Sequence, residues 1–388
     1  MKNASGHSGT RVPAVLALED GSVFHGFSFG ARRDTQGETV FNTSMAGYQE
    51  ILTDPSYKGQ MVVMTVSHVG NYGINPEDGE SARPYVEGFI VREACPEPSN
   101  WRSRQSLHSY LAGAGVTGIE GIDTRSLVII LRTKGALRGV IGTGRPSPSS
   151  LVRRAKASPR IEDRDLVSEV SCRKPYEWTE PFRDPVNPDP WSPPGPDALR
   201  AVVVDCGVKR NILRMLVTLK CRVTVVPALT SSAEILALRP DGVVFSPGPG
   251  DPRRLPHVVG AMSGCLGRVP VLGICLGHQI FGASLGGRIF KLRFGHHGGN
   301  HPVMHLPSGR VVISSQNHNF AVDPKSLPRV AEVTHLNLND RTVEGLRHRR
   351  VPAFSIQYHP EAAPGPHDSR YIFRDFVAMM AEHRKGVR

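Results

Sequence analysis

Cys275 stands in the run Gly273-Ile274-Cys275-Leu276-Gly277-His278-Gln279, and 84 residues further on the chain reads Gln357-Tyr358-His359-Pro360-Glu361. A thiol, an imidazole and a carboxylate are the parts needed for nucleophilic acyl transfer: nucleophile, base and the group that orients the base. Val269 to Ile274 is apolar and reads as a buried strand, and His278 to Leu285 reads as a helix. Cys275 therefore falls on a tight strand-to-helix turn of the kind that presents a nucleophile. Gly273 and Gly277 flank it symmetrically, tolerating strained dihedrals and letting a substrate approach the backbone. If residues 357–361 are extended, His359 and Glu361 point the same way. The other cysteines, Cys95, Cys172, Cys206, Cys221 and Cys265, form no CxxC pair with it or each other. That disfavours zinc and dithiol redox roles and fits a reducing cytosol.

The elements around Cys275 alternate. Strand Ala201–Asp205 leads to helix Lys209–Leu219, strand Arg222–Val226 to helix Ser232–Leu238, and strand Gly242–Phe245 to helix Leu255–Cys265. This predicts an α/β unit over 199–388, a parallel sheet with helices on both faces. Ligands of such sheets bind at the carboxyl ends of the strands, where Cys275 lies. Residues 12–150 predict a separate mixed β/α domain. It has an apolar run Ala14–Leu18, a turn at Asp20-Gly21, a buried run Met61–Val66, and a helix at Thr124–Thr133 with Leu127, Ile130 and Leu131 on one face. Between the two, residues 151–198 shift in composition: positions 175–196 hold eight prolines and two tryptophans, an extended, semi-rigid connector.

A chain of 388 residues fits two domains. It has no apolar run near the ~18 residues of a membrane span, and its polar start, Met1 to Arg11, reads as a disordered leader without a signal sequence. The net charge of +12 raises nucleic acid as a partner. Yet the densest basic runs, Arg153-Arg154-Ala155-Lys156 and Arg347-His348-Arg349-Arg350, are short and lack interleaved aromatics. They predict solvated faces, or a surface that meets an acidic protein.

Gly273–Gln279 together with His359-Pro360-Glu361 resembles the signature of the triad (class I) glutamine amidotransferases. Further stretches resemble the small subunit of glutamine-hydrolysing carbamoyl-phosphate synthetase in particular: Phe41–Met45, Gly47–Tyr57, Ile122–Arg125, Lys209–Leu213, Phe294–Pro302, Gln316–His318 and Pro364–Asp368. The resemblance implies a C-terminal parallel-sheet class I glutamine amidotransferase domain. It also implies that Cys275, His359 and Glu361 release ammonia from glutamine through a cysteinyl thioester. Glutamine would be bound by Gly248 and Gly250, by Leu276 and Gln279, by Asn317, Asn319 and Phe320, and by Ser44 of the first domain. Oxyanion donors would be the N–H groups of Leu276 and Gly248. The partner it implies is a large synthetase subunit that uses ATP, magnesium and bicarbonate, forming a heterodimer or larger hetero-oligomer in the cytoplasm. It makes carbamoyl phosphate for arginine and pyrimidine synthesis. This chain carries no GxxxxGK[ST] loop, so no cofactor is expected in it.

The chain departs from that family at two places: Pro247 stands where Asn is usual, and Asn319 where Gly is usual. Proline lacks an N–H, but the required donor is Gly248. Glycine at 319 would imply a positive φ, which Asn tolerates next best. His296, His297, His301 and His305 match no standard ligand spacing, and no metal is expected there. Another amidotransferase subunit, such as that of anthranilate synthase, would not need residues 12–150. A non-catalytic scaffold would not need the triad.

Overall fold

The computed structural model describes residues 11–184 and 191–387. The leader (residues 1–10) and residues 185–190 of the proline-rich connector lie outside the described residues. The first domain is a closed barrel of seven strands. Their order is Pro13–Leu18, Val23–Gly30, Thr117–Glu120, Gly88–Ile90, Gln60–Met64, Thr35–Asn42 and Leu137–Thr143, which pairs back onto Pro13–Leu18. Alternation along each strand builds two layers, as a period of two requires. Ala14, Leu16 and Leu18 join Met61, Val63, Ile119 and Ile141, with Leu127 and Leu131 of helix Thr124–Lys134, in one core. Val15 and Ala17 turn to Leu151 and Ala155 of helix Pro148–Ala157. Residues 148–157 thus belong to the barrel, and the expected connector from residue 151 is in part a packed helix. Its apolar side was hidden in the basic run around Arg153, where Arg154 pairs with Asp34 at 2.6 Å.

The second domain is a ten-stranded mixed sheet. Its centre is parallel, in the order Arg222–Pro227, Arg200–Asp205, Gly242–Phe245, Val271–Ile274 and Ala353–Ile356. The expectation of a parallel sheet holds there, but both edges are antiparallel. Tyr176–Trp178, from the connector, pairs antiparallel with Arg222–Pro227. On the other side follow Val343–His348, Ala331–Asn337, the 17-residue strand Ile289–His305 and Val311–Val322. The sheet is buried on both faces, so its central strands are continuous apolar runs. Val202, Val204, Val243 and Phe245 face helices Pro256–Cys265 and Leu276–Ser284. Ala201, Val203, Val244 and Leu272 face helices Arg210–Thr218 and Tyr371–Val387. No helix among the described residues is long and apolar enough to cross a membrane.

Two glycines test this packing from opposite sides. A methyl group on Gly277 would collide with the carbonyl oxygen of Phe245, whereas one on Gly260, exposed within helix Pro256–Cys265, would meet nothing. Gly277→Ala should destabilise the chain by ~1–3 kcal/mol through overpacking. Gly260→Ala should stabilise it by up to ~1 kcal/mol through helix propensity. Urea denaturation of both variants measures the contrast; equal shifts would show that the strand-to-helix contact at Gly277 is slack.

Candidate active site

Cys275 is the residue that joins strand Val271–Ile274 to helix Leu276–Ser284, with φ 53° and ψ −103°. A positive φ on a non-glycine residue costs on the order of 1–3 kcal/mol and persists only where the surroundings impose it. Here its N–H is tied to Ile356 O at 2.8 Å, and its carbonyl starts the helix by accepting from His278 and Gln279. The flanking glycines act differently from the sequence expectation. Neither has a positive φ; methyl groups there would strike Gly277 O from Gly273, and Phe245 O from Gly277. They allow the strand and helix to approach, and the strain sits on the cysteine itself. Leu276 is the first residue of the helix, so its N–H has no intrahelical partner and is available to a developing oxyanion.

His359 and Glu361 follow strand Ala353–Ile356 in a turn, not in the extended strand that the alternation argument assumed. They still meet: His359 Nδ1 lies 2.7 Å from Glu361 Oε1, both fully buried. His359 N–H bonds to Ser315 O at 2.9 Å, an isolated bridge that anchors the turn to strand Val311–Val322. Burial works against the His359 cation, but Glu361 and the sulfur of Cys275 outweigh it and push the pKa up to about 10. Burial likewise opposes the Glu361 carboxylate, which Lys209 and His359 nonetheless hold at about 2. An ionised carboxylate only accepts, so Nδ1 carries the proton toward Glu361. His359 Nε2 is buried without a hydrogen-bond partner, and Cys275 is close enough to act on the ring. Cys275 Sγ is 3.5 Å from Asn317 O.

In the sequence Lys209 stands out only as part of the stretch Lys209–Leu213, yet it completes this array. Its ammonium bonds to Glu361 Oε1 at 3.0 Å and to Ala363 O at 2.6 Å, and the side chain is 2% exposed. Burial works against its charge; Glu361, Asp54 and Glu80 outweigh that and raise its pKa above the ordinary range. Asp54 and Glu80 come from the barrel. Burial lifts Glu80 to about 7 against the pull of Lys209. A pattern of apolar positions gives no sign of a fully buried lysine.

Of the residues assigned to glutamine, Leu276 and Gln279 lie on the helix that follows Cys275, and the main-chain oxygen of Asn317 lies 3.5 Å from its sulfur. Gly248 sits against Cys206 O and the Leu276 side chain with no room for a Cβ, and Gly250 has φ +85°. The Gln279 amide nitrogen bonds to Phe320 O at 2.9 Å and Gln357 Oε1 at 3.2 Å. Asn317, Asn319 and Phe320 lie on strand Val311–Val322. Asn319 has no positive φ, so the expected backbone reason for a glycine there does not apply. Ser44 is 7% exposed, its hydroxyl has no partner, and it lines an interdomain cleft of about 1010 Å³. Ala363, Pro364, Glu50 and Asn211 also line this cleft; Cys275 does not.

The histidines at 296–305 divide between roles. His296 pairs with Asp340 at 2.8 Å and approaches Glu344 at 3.7 Å. Burial opposes its charge, but the two carboxylates raise it to about 9. His296, His318 and Glu344 bring donor atoms within 4.8 Å of one another, a grouping that could hold a metal ion. Glu344 already accepts from Gln316 and Asn337, both at 3.0 Å, and a protonated His296 has no lone pair to give.

Removing the Lys209 charge should expose its role. Lys209→Met would leave the Glu361 carboxylate buried beside a single cation and cost about 3–5 kcal/mol at neutral pH. Glu361 is depressed from 4.5 to about 2, so its stabilisation is present above pH 4.5 and lost as pH falls toward 2. The stability gap between wild type and Lys209→Met should therefore shrink over that window. A gap of the same size at pH 3 and pH 7 in urea titrations would place the effect elsewhere.

Comparison with known proteins covers both domains. Residues 16–141 match the family described as carbamoyl-phosphate synthase small chain, CPSase domain, and residues 202–379 match glutamine amidotransferase class-I. The protein named carbamoyl phosphate synthase small chain in Syntrophotalea carbinolica is 52% identical over 380 residues, 96% of this chain and 99% of that one. That of Solidesulfovibrio magneticus is 54% identical over 367 residues, 94% and 97% of the two chains. That of Aquifex aeolicus is 52% identical over 376 residues, 95% and 99%. With half of all positions identical from the barrel through to the final helix, the chain belongs to the carbamoyl phosphate synthase small chain family.

Proposed function

We propose that this chain is the glutaminase subunit of a carbamoyl-phosphate synthetase, hydrolysing glutamine to glutamate and ammonia. The observation that carries the reading is the buried contact of His359 with Glu361 beside a strained Cys275. The Cys275 thiolate adds to the side-chain amide carbon of glutamine, and the charge that forms on oxygen meets the Leu276 N–H. His359, protonated and oriented by Glu361, gives its proton to the departing nitrogen, and ammonia leaves. Water then adds to the thioester with His359 as base; glutamate departs and the thiol is restored. Gly248, Gly250, Leu276, Gln279, Asn317, Asn319, Phe320 and Ser44 bind the glutamine.

The ammonia passes to a large subunit, which makes carbamoyl phosphate from bicarbonate and ATP with magnesium for arginine and pyrimidine synthesis. The small chain itself needs no metal or cofactor. The barrel, which offers no nucleophile with a base at its side, docks on that large subunit. Six free cysteines support a reducing, cytoplasmic setting.

Two measurements test the reading. Cys275→Ser should lower glutamine-dependent carbamoyl phosphate synthesis by roughly three orders of magnitude or more, while synthesis from added ammonium salt persists. A retained glutamine-dependent rate would remove Cys275 from the mechanism; a lost ammonia-dependent rate would make its role structural. Glu361→Gln should reduce glutaminase turnover far less than His359→Asn, since it keeps shape and removes only the stabilising charge. Equal losses would mean that His359 is not the base, or that Glu361 acts only through packing.

A further inference from the structure

Asp54 belongs to the barrel, at the end of the short helix Tyr48–Thr53, and is 4% exposed. Its two carboxylate oxygens have different partners. Oδ1 accepts from Ser56 N–H at 2.9 Å, and Oδ2 accepts from the Asn317 side-chain nitrogen at 2.9 Å, across the domain boundary. A carboxylate offers no donor, so Asn317 must turn its NH2 to Asp54 and its carbonyl oxygen the other way. That oxygen lies 3.0 Å from His297 Nδ1. His297 is 3% exposed, and burial lowers its pKa to about 4, so the ring is neutral and carries one proton. The oxygen of Asn317 requires that proton on Nδ1. His297 Nε2 is then an acceptor, 3.0 Å from the end of the Asn319 amide assigned as oxygen. Oxygen and nitrogen of an amide are distinguished only by the hydrogen bonds around them. Two acceptors cannot bond, so the Asn319 amide must be turned by half a rotation, its nitrogen on Nε2 and its oxygen directed away.

We propose that Asp54 is a positioning residue of the glutamine site, setting in sequence the Asn317 amide, the His297 tautomer and the Asn319 amide. The inference rests on the glutaminase reading above and adds a residue from the other domain to it. The barrel holds the middle of this chain independently. Thr43 N–H and Oγ1 each bond to His297 O at 3.2 Å, and the Tyr57 ring stacks on the imidazole with centroids 5.9 Å apart. Tyr57 Oη accepts from Asn42, whose side-chain oxygen in turn accepts from Ser44 N–H at 2.7 Å. The main-chain oxygen of Asn317, not its amide, accepts from the Cys275 thiol at 3.5 Å, so the residue held by Asp54 also touches the proposed nucleophile. Asn319, where the family usually has glycine, acquires a purpose: it terminates a directed chain of hydrogen bonds that begins on a carboxylate.

Asp54→Asn in the full-length chain is the test, because an amide has one acceptor for the two donors that Asp54 meets. The KM for glutamine should rise about tenfold or more, beyond any fall in kcat that comes from removing a negative charge near Lys209, the pattern of lost substrate positioning. Ring-15N-labelled histidine reports the tautomer directly: wild-type His297 should carry its proton on Nδ1, and the variant should show a mixture. A wild-type proton on Nε2 would overturn the proposal without any variant being made. So would an unchanged KM, or a fall in kcat together with melting temperature at constant KM. A wild-type chain that fails to hydrolyse glutamine would refute the glutaminase reading and leave the tautomer measurement standing as its own answer.

Discussion

A fully buried carboxylate is the constraint on which the site is built. Glu361 is fully buried, and such a group stays ionised only beside compensating charge. One oxygen receives both His359 and Lys209. Burial also works against the Lys209 cation, and Asp54 and Glu80 of the barrel add to Glu361 in holding it. The electrostatics of the triad therefore extend through two domains. The sheet domain alone holds His359, Glu361 and Lys209, but not Asp54 and Glu80, the further counter-charges that help keep Lys209 an ammonium.

The topology delivers these groups to one place. Cys275 follows the central strand Val271–Ile274, Glu361 follows Ala353–Ile356 beside it, Gly248 follows Gly242–Phe245, and Lys209 follows Arg200–Asp205. These are the carboxyl ends of four parallel strands, which lie side by side in the sheet. Rigid neighbours on both sides also explain how Cys275 is kept at φ 53°. A strand and a helix pressed together through Gly273 and Gly277 leave the residue between them no relaxed alternative.

Much of this is legible in the sequence alone. The alternation of apolar strands and helices over 200–274 placed Cys275 at a strand end, and the helices and strands there match their expected ranges to within two residues. The barrel strand Ala14–Leu18 and helix Thr124–Thr133 were legible for the same reason: a strong local period. Three things were not. Helix Pro148–Ala157 was masked by the charges that share its surface. The antiparallel edge from Ile289 to His348 is rich in glycine, histidine and charged residues, and no period of two stands out. Lys209, Asp54 and His297 take their roles from residues up to 263 positions away, and local pattern carries no trace of a partner at that range.

Strand Val311–Val322 shows the same limit most sharply. Ser314, Ser315, Gln316, Asn317, His318 and Asn319 are all at least 92% buried, so on hydrophobicity the segment reads as a loop. A run of buried polar groups is tolerable only if each finds a partner. Partners arrive from several directions. Ser314 bonds to His301 O, Ser315 to Pro364 O, and Gln316 to Glu344. Asn317 reaches the barrel, His318 folds onto Phe320 O, and Asn319 meets His297. Such a network is rigid because any one rotation breaks several bonds at once. Rigidity is what the proposed role of this surface beside Cys275 requires, since reacting groups must be held to within tenths of an ångström. The residues that make this strand unreadable as core are thus the ones that make it serviceable as the wall of a site.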